Sequence, residues 1–274
     1  MNPIPADKIP QAVNELAEAF TYIRHRLAYL WQMIATMQAA IAVQAAGRRS
    51  RLPLSFKAQN GEDILIWSAL GNKLDGFYVE AGAFDGVGIS ATYALEAIGW
   101  RGLLVEPNSE SHKRCVTNRP NSRVVRAALS SPENAGKMAT LNRIVDVYGG
   151  ALSYMEGVRL YGDNNDRESA EIVKEQVEMT TLDALLEGHE GPIDAVVIDV
   201  EGHEPEVLRG FDIGRWLPTI LLVEDVSVGE DKAITDYMID KPYRQVGWNE
   251  NNRVYIREDA REAMSRYPGL SIWP

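Results

Sequence analysis

The chain has 274 residues, 45% hydrophobic and 24% charged, with one cysteine and a net charge of −11. That length carries one large α/β domain, or a domain plus an appendage. The lone Cys115 excludes an internal disulfide, and the acidic balance argues against nucleic acid as the principal partner, because phosphate neutralisation needs a basic surface.

The N-terminus MNPIPADKIPQ lacks a charged region followed by a short apolar core, so no secretory signal is expected and the expected location is the cytoplasm. Charge is unevenly spread. Residues 1–51 hold six Lys/Arg against three Asp/Glu, which leaves net −14 for residues 52–274. Apolar residues in the basic segment fall at Ile9, Val13, Leu16, Phe20, Ile23, Leu27, Leu30, Ile34, Met37 and Ile41. The steps alternate four and three, the 3.5-residue period of a coiled-coil seam. Gly47, followed by Arg48 and Arg49, reads as the helix end. Self-association through this stripe is the favoured reading. The alternatives are a helix packed on its own domain and a helix lying on a membrane, since Leu27 to Gly47 holds no charge. Gln32, Thr36, Gln38 and Gln44 make it a poor spanning segment.

From Leu52 the chain alternates strands and helices, the mark of a mostly parallel sheet covered on both faces. GFYVEAG (76–82), RGLLVEP (101–107), SRVVRAAL (122–129), DAVVIDV (194–200) and PTILLVEDV (218–226) read as strands. Helical stretches lie over Ala91 to Ile98, Ser109 to Asn118, 180–188 and 205–212. YRQVGWNENNRVYIRE (243–258) reads as an antiparallel hairpin around an Asn-rich turn. The span Asn142 to Gln176 shows no clear periodicity. It is either a lid over an acceptor, with Tyr148, Tyr154 and Tyr161 free to stack on a sugar, or a surface loop.

Ligands in such sheets sit outside the carboxyl ends of the strands. The first strand ends Glu80-Ala81-Gly82-Ala83-Phe84-Asp85-Gly86, where two glycines permit a tight turn and close backbone approach. This is not the GxGxxG of dinucleotide-binding dehydrogenases, which counts against a nicotinamide-dependent oxidoreductase. Glu80 within the strand suits a cationic or amino-bearing ligand. The second strand ends in Glu106-Pro107, and a carboxylate there can accept both hydroxyls of a ribose.

GFYVEAGAFDG, LEAIGWRGLLVEPN and IDVEGHEPEVLRG together resemble FkbM-type methyltransferases, a branch of the class I S-adenosylmethionine-dependent enzymes, and AQNGEDILI (58–66) adds to the likeness. The resemblance covers roughly residues 55–258. It implies a Rossmann-like class I methyltransferase sheet, mostly parallel with an antiparallel C-terminal hairpin; the long N-terminal α-helix read from the heptad pattern lies outside it. The chain is therefore expected to divide into a heptad helix over 1–51 that serves oligomerisation and a methyltransferase domain over 52–274. The implied reaction is O-methylation of a sugar, glycan or glycosylated natural product, with a non-catalytic assembly scaffold as the alternative. By the same resemblance Glu80, Gly82, Ala83, Asp85 and Gly86 hold the methionine end of the cofactor, and Glu106 and Pro107 the ribose. Ala128 to Ser130 lie near the adenine. Gln59 and Asp63 contribute from the lead-in segment or cap a helix.

VVIDVEGHE (196–204) ends the strand that then faces the methyl donor. A hydroxyl is a poor nucleophile at neutral pH, so its proton must be taken or its pKa lowered. His203 is the natural base, Asp199 and Glu201 flank it, and Glu204 suits the helix start before Pro205. The next strand ends Glu224-Asp225. With Asp199 this pair would form a hard oxygen site of the kind Mg²⁺ favours, provided the strand has ended, because neighbours on a strand face opposite ways.

Overall fold

The computed structural model describes residues 9–145, 148–160, 167 and 169–260. Eleven strands appear among them: β1 Phe77–Ala81, β2 Arg101–Val105, β3 Arg123–Val125, β4 Ala128–Leu129, β5 Met138–Val145, β6 Tyr154–Met155, β7 Glu171–Thr180, β8 Ala195–Ile198, β9 Ile220–Glu224, β10 Tyr243–Asn249 and β11 Asn252–Arg257. The helices are α1 Ile9–Ala45, α2 Glu62–Ala69, α3 Tyr93–Ile98, α4 Ser109–Asn118, α5 Leu182–Leu186, α6 Glu204–Arg209, α7 Ile213–Trp216 and α8 Ala233–Met238.

Seven strands form the main sheet in the order β10-β11-β9-β8-β1-β2-β3. The pairs from β9 to β3 are parallel, and β10 and β11 run antiparallel at one edge. This is the Rossmann-like α/β sheet with its C-terminal hairpin. Strands buried on both faces must be apolar throughout, and Ala-Val-Val-Ile of β8 is fully buried. Side chains pointing to one face of the sheet meet α2, α3 and the end of α1, around Trp67, Tyr78, Leu95 and Trp100. Those on the other face meet α5 to α8, around Leu182, Leu208, Phe211 and Met238. Helix starts are fixed locally: Asn108 accepts from the N–H groups of Glu110 and Ser111 to cap α4, and Thr181 from Ala184 to cap α5.

Two expectations about strands change. The strand expected over 122–129 divides, β3 joining the main sheet and β4 pairing with β7 in a second sheet of order β4-β7-β5-β6. The span read as aperiodic supplies β6 and parts of β5 and β7, whose antiparallel pairing runs from Met138↔Glu178 to Val145↔Glu171. Alternation is obscured because much of β7 is exposed on both faces, Glu171 to Lys174 among it. The side chains of Tyr148 and Tyr161 lie outside the described residues.

α1 ends at Ala45, with Gly47 in the left-handed region at φ +67°. Its last third docks on the domain through Ala35, Ala39 and Val43, all buried. Gln32 Nε2 donates to the Ala58 carbonyl (3.1 Å), and the Phe56 N–H donates to Thr36 Oγ1 (3.2 Å). No helix among the described residues is long and apolar enough to cross a membrane.

Candidate functional site

Strand order reverses between β1 and β8, where a crevice must open beyond the carboxyl ends. The cleft found there spans about 1250 Å³, open solvent at its mouth included. The ends of β1, β2, β8 and β9 form its floor, and Leu141, Tyr154 and Met155 of the second sheet, with Ser153 just before β6, form a wall.

At the β1 end Gly82 adopts φ +84°, and a Cβ there would sit 1.7 Å from the Asp199 carbonyl oxygen. Glycine is therefore what lets the ends of β1 and β8 turn side by side. Phe84, at φ +49°, turns its N–H onto Glu106 Oε2 (2.7 Å), while the Asn108 N–H donates to Oε1 (2.8 Å). Glu106 is thus gripped by the turns after both β1 and β2, with acceptor capacity remaining on each oxygen. Burial pushes its pKa up to about 7.

Glu80 lines the cleft but spends its carboxylate inward, accepting from Ser90 Oγ (3.0 Å), the Ala91 N–H (2.9 Å) and Thr92 Oγ1. Arg119, wholly buried, stands 3.6 Å from it and donates to Glu96 (2.8 Å), the Gly86 carbonyl (3.0 Å) and Tyr78 Oη (2.6 Å). Glu80 is an anchor for the Ser90–Thr92 segment. Burial raises its pKa and the guanidinium opposes the rise.

Beyond β8, Asp199, Glu204 and Glu224 bring carboxylate oxygens within 4.8 Å of one another. Glu204 Oε1 accepts from the N–H groups of Val200 (2.9 Å) and Gly202 (3.1 Å), closing the turn. Glu201 sits in the left-handed region at φ +57°, uncommon for a non-glycine residue, and pairs with Arg167. His203 Nε2 is 3.4 Å from Ser130 Oγ. Burial and mutual repulsion act together on these acids, pushing Glu201 up to about 8 and Glu204 up to about 7. Burial raises Asp199 as well, and Glu224 lies well above the usual carboxylate range through burial and the neighbouring Asp199. Glu224 Oε2 is buried with no hydrogen-bond partner among the described residues. Burial lowers His203, favouring the neutral imidazole.

Of the other expected residues, Gln59, Ala83, Pro107 and Ala128 join the lining. Five stand outside it. Asp63 is buried beneath the lead-in segment, accepting from the N–H groups of Lys57 (2.7 Å) and Ala58 (3.1 Å). Asp85 Oδ1 caps the turn at Val87 and Gly88. Gly86 makes room for α4, since a Cβ would meet Cys115 Sγ at 2.9 Å. Ser130 reaches the site only through His203. Asp225, one residue past the end of β9, is taken up by Arg253 Nε (2.7 Å). Glu204 takes its place beside Asp199 and Glu224.

Sequence reasoning missed Arg119, whose side chain finds partners spread from Tyr78 to Glu96, and Arg167 in the long insert. Glu204 carried a signal, because an acid two residues after a strand-end glycine can cap its own turn.

A parallel sheet with its cleft at the switch point, a glycine turn after the first strand and a backbone-gripped acid after the second define a nucleotide-cofactor enzyme of the Rossmann-like class. The chain belongs to the Methyltransferase FkbM domain family, whose profile matches residues 80–245, and it is an S-adenosylmethionine-dependent methyltransferase. That membership displaces the oxidoreductase and scaffold alternatives. No curated protein matches the chain. Among solved structures it is similar to an O-methyltransferase from Bacillus cereus in complex with SAH (11% identity, 81% of this chain and 88% of that one, TM-score 0.38). It is also similar to a TehB-like SAM-dependent methyltransferase from Corynebacterium glutamicum (11%, 86% and 99%, TM-score 0.37). A third is Aeropyrum pernix fibrillarin with natively bound S-adenosyl-L-methionine (12%, 73% and 74%, TM-score 0.35).

Proposed function

We propose that this methyltransferase methylates a hydroxyl oxygen of a sugar, glycan or glycosylated natural product, in the cytoplasm. The carrying observation is the acid-lined end of the cleft, where Asp199, Glu201 and His203 share one lining with Tyr154 of the wall. Carboxylates bind sugar hydroxyls as bidentate acceptors, and a tyrosine face covers the apolar side of a sugar ring.

The other end of the cleft fits the cofactor. Glu106 keeps acceptor capacity for two ribose hydroxyls, and Ala127, Leu129 and Leu141 offer an apolar slot for a flat base. The Gly82–Ala83 turn would hold the methionine end, with Glu80 fixing the wall behind it. When bound, S-adenosylmethionine supplies an electrophilic methyl group on sulfonium. Asp199 and Glu201 would hold and orient the acceptor hydroxyl. His203 would accept its proton.

A second reading adds a divalent cation such as Mg²⁺ on Asp199, Glu204 and Glu224, favoured by the clustered oxygens and the unpartnered Glu224 Oε2. Such a cation would lower the acceptor pKa directly. One assay tests both: methyl transfer to a panel of glycosides and glycans, with the chelated and Mg²⁺-supplemented enzyme. His203→Ala is expected to keep SAH affinity and lose about 10²- to 10⁴-fold in kcat. Unaltered turnover removes His203 from the mechanism, equal rates with and without Mg²⁺ remove the cation, and transfer only to nitrogen acceptors overturns the hydroxyl assignment.

A further inference from the structure

We propose that α1 pairs with α1 of a second copy, so that the enzyme is a dimer joined by a helical seam outside the methyltransferase domain. The stripe Val13, Leu16, Phe20, Ile23, Leu27, Leu30, Ile34, Met37 and Ile41 is 48–71% exposed at every position. Large apolar side chains in a continuous exposed row mark an interaction surface.

The helix does contact its own domain, but with its other side. At about 100° per residue, Gln32, Ala35, Thr36, Ala39 and Val43 lie opposite Leu30, Ile34, Met37 and Ile41. The docked face consists of small or hydrogen-bonded residues and leaves the stripe uncovered. A partner can occupy the stripe without displacing either domain. α1 is also tied by Arg24 to Glu250 in the hairpin turn.

Three observations select a second copy as the occupant. The alternating steps of three and four keep the row facing a supercoiling helix over its whole length, whereas a 3.6-residue helix on a flat surface has no need of them. One seam position holds Val13, Phe20, Leu27, Ile34 and Ile41 and the other Leu16, Ile23, Leu30 and Met37, so both rows of knobs are large and apolar without a break. Nine half-exposed side chains offer on the order of 800 Å² per copy, the share of one partner in a specific interface. A lipid surface is disfavoured by charge, because residues 52–274 carry net −14 and anionic headgroups would repel them.

The test uses the full chain. Light scattering is expected to give twice the 30.5 kDa chain mass at micromolar concentration. Leu27→Glu with Ile34→Glu is expected to give the monomer mass with unchanged SAH affinity and melting temperature, since neither side chain is buried in its own copy. A monomeric wild type, or a double variant that keeps the dimer mass, overturns the proposal. Flotation of a monomeric wild type with phosphatidylserine vesicles, lost in the variant, would give the stripe to lipid instead. SAH affinity, measured alongside, keeps this outcome separate from that of the methyltransferase reading.

Discussion

Gly82 changes meaning once neighbouring atoms are known. The sequence suggests that its missing side chain admits the cofactor. In the structure the first atom a Cβ would strike is the Asp199 carbonyl oxygen, at 1.7 Å. Gly82→Ala is therefore expected to cost on the order of 3 kcal/mol in urea unfolding, from overpacking and the positive φ, and to displace Asp199 along with it. Wild-type stability in that variant would contradict the close approach of the two strand ends. Phe84 and Glu201 adopt left-handed conformations with nothing in their identity to announce it. A non-glycine residue takes φ > 0 only when surroundings impose it, so such positions are legible from coordinates and not from composition. Asp225 shows a related case. The sequence left open whether Glu224 and Asp225 could ligate together once the strand had ended; β9 does end at Glu224, and Arg253 shows where Asp225 goes instead.

At the scale of elements, the strands of the main sheet were legible because each is an uninterrupted apolar run ending in turn residues. The second sheet was not. β5 and β7 pair across 25 intervening residues, and exposed positions such as Glu171 and Ile172 blur the period-2 signal. α1 was legible as a heptad helix, but its second face was not, since alanines at 35 and 39 carry little hydrophobic signal until the surface they dock on is known. The Arg119 network escaped for a related reason. A buried guanidinium with partners on β1, α3 and the loops between them is a product of tertiary assembly.

For the whole molecule, burial of acids makes stability depend on pH. Asp63 and Glu106 are both pushed up to about 7 by burial, well above their unfolded values. A raised carboxyl pKa contributes stability that is fully present below the unfolded value and lost as pH rises through the folded one. The ligand-free protein is therefore expected to melt several degrees higher at pH 5.5 than at pH 8, the loss running upward from the unfolded carboxyl values and levelling off just above pH 7. Scanning calorimetry across that range checks this. A melting temperature that rises from pH 5.5 to 8 would contradict the burial of these two groups. Cofactor affinity should move the other way, because Glu106 accepts ribose hydroxyls best as the carboxylate.

The most direct test of the account is a calorimetric titration of the intact protein and of Glu106→Gln with S-adenosylhomocysteine at pH 8. The wild type is expected to bind one equivalent per chain. The variant should bind about 10- to 100-fold more weakly, as the loss of charged acceptors worth about 1.5–3 kcal/mol requires. Absence of binding by the wild type, or equal affinity in the variant, would contradict the assignment of the cleft as the cofactor site.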